Sequence, residues 1–79
     1  MLRVTVNGIS TSTPGTLRQA CAAALDVARV QEGTWRVLVD PCTQGGTPAM
    51  YDVTGRPGRW GHPRLVEAVT ADNETGVRA

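Results

Sequence analysis

The stretch from Arg56 to Arg64, "RPGRWGHPR", concentrates groups able to do chemistry: Arg56, Arg59 and Arg64, the chain's one histidine, His62, and Trp60, with no acid among them. A guanidinium pairs bidentately with carboxylate or phosphate, and an exposed indole offers a stacking face. The combination suits an acidic protein partner or a nucleic acid. The bland reading is that Trp60 plugs the edge of the core while the arginines are solvated or bridged to Asp52 and Glu67. Three phosphate contacts give only weak, salt-sensitive binding, and the chain has no lysine to extend a phosphate-tracking surface. A protein partner is therefore the expected one, with nucleic acid as the alternative.

Other reactive groups carry less. Cys42 lies in "DPCTQGGTP", where successive glycine N–H groups can form an anion nest and lower a thiol pKa. A phosphatase-like site needs an arginine six residues on, but position 48 is proline, and "QGG" is too short for a nucleotide loop. Cys21 sits in an apolar periodicity and reads as core. The two cysteines show no metal-ligand spacing, so neither a metal nor a cofactor is expected. Asp40, Asp52 and Glu67 can act as acid and base only if strands bring two together. Trp35 and Tyr51 read as core aromatics.

The elements that must position these residues are legible in places. Leu2, Val4 and Val6 alternate with polar residues up to Asn7-Gly8, a pair that tolerates positive φ at both centres of a type I′ turn. Strands are expected at about 2–6 and 9–13, with Val6 facing Ile9, Val4 facing Thr11, and the second strand at an edge. Leu17, Ala20, Cys21, Ala24, Leu25 and Ala28 mark one face of a helix over about 17–31. Thr16 with Gln19 fits a capping box, Gly33 reads as the stop, and Arg18, Gln19, Asp26 and Arg29 take the solvent side.

Trp35, Val37 and Val39 predict a central strand over about 34–40, ended by Pro41. Met50 to Val53 reads as a short strand, and residues 54–63 as irregular. Leu65 to Ala71 fits either a helix started by Pro63 or a strand; we take the strand. Residues 1–71 then form one small α+β domain, and 72–79 a polar, mobile tail.

This order, hairpin, amphipathic helix, then two to three further strands in a mixed sheet, is that of the β-grasp fold. "MLRVTVNGIS" with "GTLRQACAAAL" resembles the first half of the ThiS/MoaD type of ubiquitin-like sulfur carrier, and "RLVEAVTA" is similar to that group's last strand. The resemblance implies a sulfur or acyl carrier acting through a C-terminal Gly-Gly. The chain instead ends Gly76-Val77-Arg78-Ala79, without that chemistry.

Composition narrows the function classes. With 79 residues there is room for one modest core and scarcely for a deep pocket, which argues against an enzyme. All eight cations are arginine, while Ile, Asn and Phe together number three. That bias is expected of a GC-rich, bacterial genome. A net charge of +1 supplies no global field toward nucleic acid or membrane. No apolar run suggests a signal peptide or membrane span, so a cytoplasmic location is expected. The expectation is a non-enzymatic interaction module that binds a protein partner, or itself, through residues 56–64 and an adjacent sheet edge.

Overall fold

A computed structural model describes residues 1–68. It is a small α+β structure in the order β1 (Leu2–Val6), β2 (Ile9–Thr13), α1 (Leu17–Ala28), β3 (Gly33–Asp40), β4 (Ala49–Arg56), β5 (Arg59–Trp60) and β6 (Arg64–Ala68). The expected tail over 72–79, and residues 69–71 of the expected last strand, lie outside the described residues.

The hairpin forms as its turn chemistry requires. Asn7 and Gly8 both take positive φ, 52° and 77°. The two-residue turn sets the register, so Val6 faces Ile9 and Val4 faces Thr11. Thr16 and Gln19 close the capping box: Gln19 N donates to Thr16 Oγ1 at 3.2 Å, and Thr16 N donates to Gln19 Oε1 at 2.9 Å. The helix stops earlier than glycine placement suggests. Arg29, not Gly33, adopts the left-handed conformation, at φ 55°. Its N–H donates to the Asp26 carbonyl at 3.2 Å, and Val30 N–H reaches the Leu25 carbonyl at 3.5 Å. This double closure turns Val30 inward, where it is buried with Leu25.

The sheet runs β2-β1-β3-β4-β5, with β6 pairing β4 on the edge that β5 shares. All described pairings are antiparallel, where a mixed sheet was expected. The reason is the crossover. β2 and β3 run in the same direction, but β1 lies between them, so the helix returns the chain without creating a parallel pair. β3 is central, as its two-sided apolar pattern predicts.

Alternation assigns the two faces. Val4, Val6, Val37, Val39 and Val53 point under α1 and are buried with Ala20, Cys21, Ala24 and Leu25. Leu2, Leu17, Trp35 and Tyr51 border this core. The small alanine and cysteine side chains let the helix lie close on the valine-lined sheet. The opposite face has no covering layer among the described residues, and no helix of the structure is long and apolar enough to cross a membrane.

Candidate functional site: the β4–β5 hairpin and the open sheet face

The segment expected to be irregular is largely built into the sheet. β4 extends to Arg56, Pro57-Gly58 makes a tight turn, and β5 returns with Arg59 opposite Arg56 and Trp60 opposite Gly55. Gly55 is a steric requirement. At its φ of 155° a Cβ would run into the Arg59 carbonyl oxygen and lie 2.9 Å from Trp60 Cα. The bare backbone at 55 lets β5 approach, and Gly61 N–H then bonds the Thr54 carbonyl at 2.9 Å.

Trp60 is 5% exposed and part of the core, so its indole offers no stacking face to a ligand. Its Nε1–H donates to Asp26 Oδ1 on the helix at 2.9 Å. Arg18, two turns earlier, places one guanidinium nitrogen 3.2 Å from His62 Nε2 and donates from another to the Trp60 carbonyl at 3.5 Å. Arg18 and Asp26 are thus not idle solvent-side residues. They are eight apart, on one helix flank, and they hold the hairpin at both ends of Trp60. The helix periodicity alone identified the buried face and gave no sign of this second, polar contact.

An open cleft of about 500 Å³ lies along this junction, lined by Arg18, Ala22, Asp26, Gly58, Arg59 and Trp60 with Gly61. His62 is exposed beside it.

The register gathers the arginines differently from the sequence order. Arg36 faces Asp52, Asp52 faces Arg64, and Arg56 faces Arg59. These positions share the open side of the sheet with Thr34 and Thr54, whose hydroxyls lie 2.8 Å apart. One end of the open face therefore carries Arg36, Arg56, Arg59 and Arg64 around the Asp52 carboxylate, with Glu67 opposite Met50 on the same face and its charge also felt by Arg36. Arg36 Nε donates to that carboxylate at 3.0 Å, with a second contact at 3.4 Å. The hydrogen bond to Asp52, then its charge, raises the Arg36 pKa further.

Asp52 is thereby engaged by Arg36 rather than by Arg56, Arg59 or Arg64. Those three are exposed, and among the described residues none has a carboxylate at ion-pair distance. Arg36 was not singled out in the linear sequence. Cross-strand register, invisible there, is what places it with the others.

The remaining candidates do not assemble into a catalytic group. Asp40 pairs with Arg3 at 3.2 Å, and Asp52 with Arg36. Cys42 is exposed at φ 58°, its N–H donating to Asp40 Oδ1 at 2.8 Å and its thiol to the Asp40 carbonyl at 3.4 Å. In the expected glycine nest, Gly46 N–H is spent on the Thr43 carbonyl at 2.9 Å. Cys21 is buried, and desolvation pushes its thiol from the ordinary 9.0 up to about 11. Both cysteines are free, and no metal-holding cluster of His, Cys, Asp or Glu exists among the described residues.

No protein-family model, curated protein or solved structure matches the chain.

Proposed function

We propose that this chain is a non-enzymatic protein-interaction module that receives an acidic segment of a partner protein. The contact surface is the arginine-bearing end of the open sheet face, with Arg56, Arg59 and Arg64 as the charged contacts, His62 at its margin and the β5–β6 edge beside them. Trp60 acts as the anchor that fixes the hairpin, not as a contact. The observation that carries this reading is the set of three exposed guanidiniums without carboxylates at ion-pair distance among the described residues, Arg56 and Arg59 on the hairpin pinned by a buried indole and Arg64 on the neighbouring β6. Holding the scaffold rigid reduces the ordering cost that exposed ion pairs otherwise incur.

Nucleic acid competes for the same arginines. Against it, Trp35, Tyr51 and Trp60 all belong to the helix side, in or bordering the core, so the arginine face lacks a stacking platform among the described residues. A ThiS/MoaD-type carrier reading draws on the Val6–Gly8 and Gly15–Leu17 stretches, which are accounted for by hairpin and capping chemistry.

The test is fluorescence anisotropy with a labelled polyglutamate peptide and a labelled oligothymidylate, using the wild type and Arg59→Glu. Arg56 and Arg59 face each other as like charges, so Arg59→Glu creates a cross-strand ion pair and raises stability by about 0.2–1 kcal/mol. Peptide binding falls by about tenfold or more in the same variant. Tighter binding of the oligonucleotide, weakening with salt at a logarithmic slope of about −2 for three contacts, favours nucleic acid instead. Binding of neither probe overturns the surface.

A further inference from the structure

The two edges of the sheet are built in opposite ways. The β5–β6 edge is interrupted at Gly61-His62-Pro63, carries Arg59, Arg64 and Glu67, and slips register between Met50 and Tyr51, where Val66 is the extra residue. Charges, proline and a bulge are the usual devices that stop one edge from pairing with another. β2 has none of them. Its sequence Ile9-Ser10-Thr11-Ser12-Thr13 is uncharged, in regular register with β1 throughout, and ends the strand order with no neighbour outside it among the described residues.

The hairpin also decides which backbone groups that edge presents. In a two-residue turn the flanking pair, Val6 and Ile9, exchanges hydrogen bonds, and hydrogen-bonded pairs then alternate along the ladder. Ile9, Thr11 and Thr13 therefore turn their N–H and C=O groups toward β1. Ser10 and Ser12 turn theirs outward, two donors and two acceptors in a row.

Apolar surface lies beside this row. Ile9 is 41% exposed and sits on the helix side, opposite Val6. On α1 the Arg18, Ala22, Asp26 flank faces β5, so Ala23 and Val27, on the other side of the buried stripe, face the β2 edge. Val27 is 55% exposed. The helix follows β2 after three intervening residues and runs back over it, which brings its last turn to the Ile9 end.

We infer that two copies of this chain associate through β2, antiparallel about a two-fold axis at Thr11, to form one continuous sheet. Only this centre matches every outward group: Ser10 exchanges both hydrogen bonds with Ser12 of the second copy, and Ser12 with its Ser10. Thr11 faces its own equivalent, and Ile9 faces Thr13. No charge meets a like charge, whereas the arginine-bearing edge would repel itself. The same-sided hydroxyl pairs already present within the chain, Thr5 with Ser10 and Thr34 with Thr54, each at 2.8 Å, show the cross-strand contact that Ser10 and Ser12 would repeat. Self-association uses the edge opposite the proposed acidic-partner surface, so the two are independent.

Sedimentation velocity over micromolar to millimolar concentrations tests the association. The wild type sediments at twice the 8.4 kDa chain mass at the upper end. Ser12→Pro removes one outward N–H without touching the β1 ladder, and sediments at the chain mass with an unchanged far-ultraviolet spectrum. A monomeric wild type throughout, or a dimer that persists in a folded Ser12→Pro, overturns the inference. Cross-linking decides the register even if that variant fails to fold. In a Cys42→Ser background, Thr11→Cys oxidises to a covalent dimer, because directly opposed non-hydrogen-bonded residues meet disulfide geometry. Ser10→Cys, which faces Ser12, cross-links at least tenfold more slowly; equal rates rule the two-fold out.

Discussion

The Trp60 indole N–H is bonded to Asp26 Oδ1 at 2.9 Å, joining the sheet edge to the helix across 34 residues of sequence. One side chain thus closes the core beside the last residues of β4 and gives the arginine hairpin a fixed origin. Without it, a two-residue strand would have its two backbone pairings, the Gly61 bond to Thr54 and the Arg18 contacts, and no buried side chain, to hold it.

Asp26→Ala leaves that N–H buried and without an acceptor, at a cost of about 1–3 kcal/mol. Asp26→Asn keeps a carbonyl oxygen at the same place and loses less than half as much. Trp60→Ala removes the ring itself and costs about 3–5 kcal/mol. For a domain of this size each kilocalorie lowers the melting temperature by about 4–8 °C, so thermal denaturation orders the three variants. An Asp26→Ala melt superimposable on the wild type would show that the bond contributes nothing.

Gly55 and Gly58 separate steric demand from conformational demand. Both have positive φ, but a Cβ at 58 meets nothing within 4 Å, whereas one at 55 meets the β5 backbone. Gly58→Ala costs about 1 kcal/mol of left-handed strain. Gly55→Ala adds displacement of β5 to about 1–3 kcal/mol of strain, and it exposes Trp60. Tryptophan emission therefore shifts to the red in Gly55→Ala and not in Gly58→Ala.

Much of the fold was legible because its signals are local. Asn7-Gly8 fixes the first hairpin and its register, and Thr16 with Gln19 fixes the helix start, each within four residues. What stayed hidden depends on contacts distant in sequence. β5 exists because Gly55 admits the returning backbone and Asp26 receives the indole, and neither relation leaves a periodic trace. The arginine cluster was half visible: Arg56, Arg59 and Arg64 stand together in the chain, but Arg36 joins them only through the β3–β4 register. For Trp60 the sequence leaves two readings, an exposed stacking face and a plug at the core edge; it is buried, and the glycine- and proline-rich composition around it carries no mark that decides between them.

The helix terminus was misread for a related reason, and it predicts a stabilising change. Arg29 holds a left-handed conformation that costs an ordinary residue about 1–2 kcal/mol relative to glycine. It does so because Val30 must turn inward onto Leu25. Arg29→Gly relieves the strain, against a gain in unfolded-chain freedom of about 0.5–1 kcal/mol. The expected result is a small net stabilisation, up to about 1 kcal/mol, read as a raised urea midpoint at unchanged slope. A lowered midpoint would mean that the Arg29 side chain contributes more than its backbone costs.

Cys21 couples the stability of the core to alkaline pH. Its thiol is buried between the helix and the valine face, and desolvation raises its pKa from 9.0 to about 11. Between those values the unfolded chain has released the proton while the native chain keeps it, so the unfolded state binds fewer protons. The slope of unfolding free energy with pH is then negative, and stability is lost as pH rises from about 9 toward 11. Below pH 9 both states hold the proton and the group is silent. Cys21→Ala shortens the core side chain and lowers stability at neutral pH, but it removes this group's share of the alkaline slope. Urea denaturation at pH 8 and pH 10.5 measures both effects: the wild type weakens between the two conditions by more than the variant does. Equal weakening would place the titrating group elsewhere. The same burial protects the thiol from reagents, so a disulfide probe at pH 8 labels exposed Cys42 at once and Cys21 only at the rate of opening of the helix from the sheet.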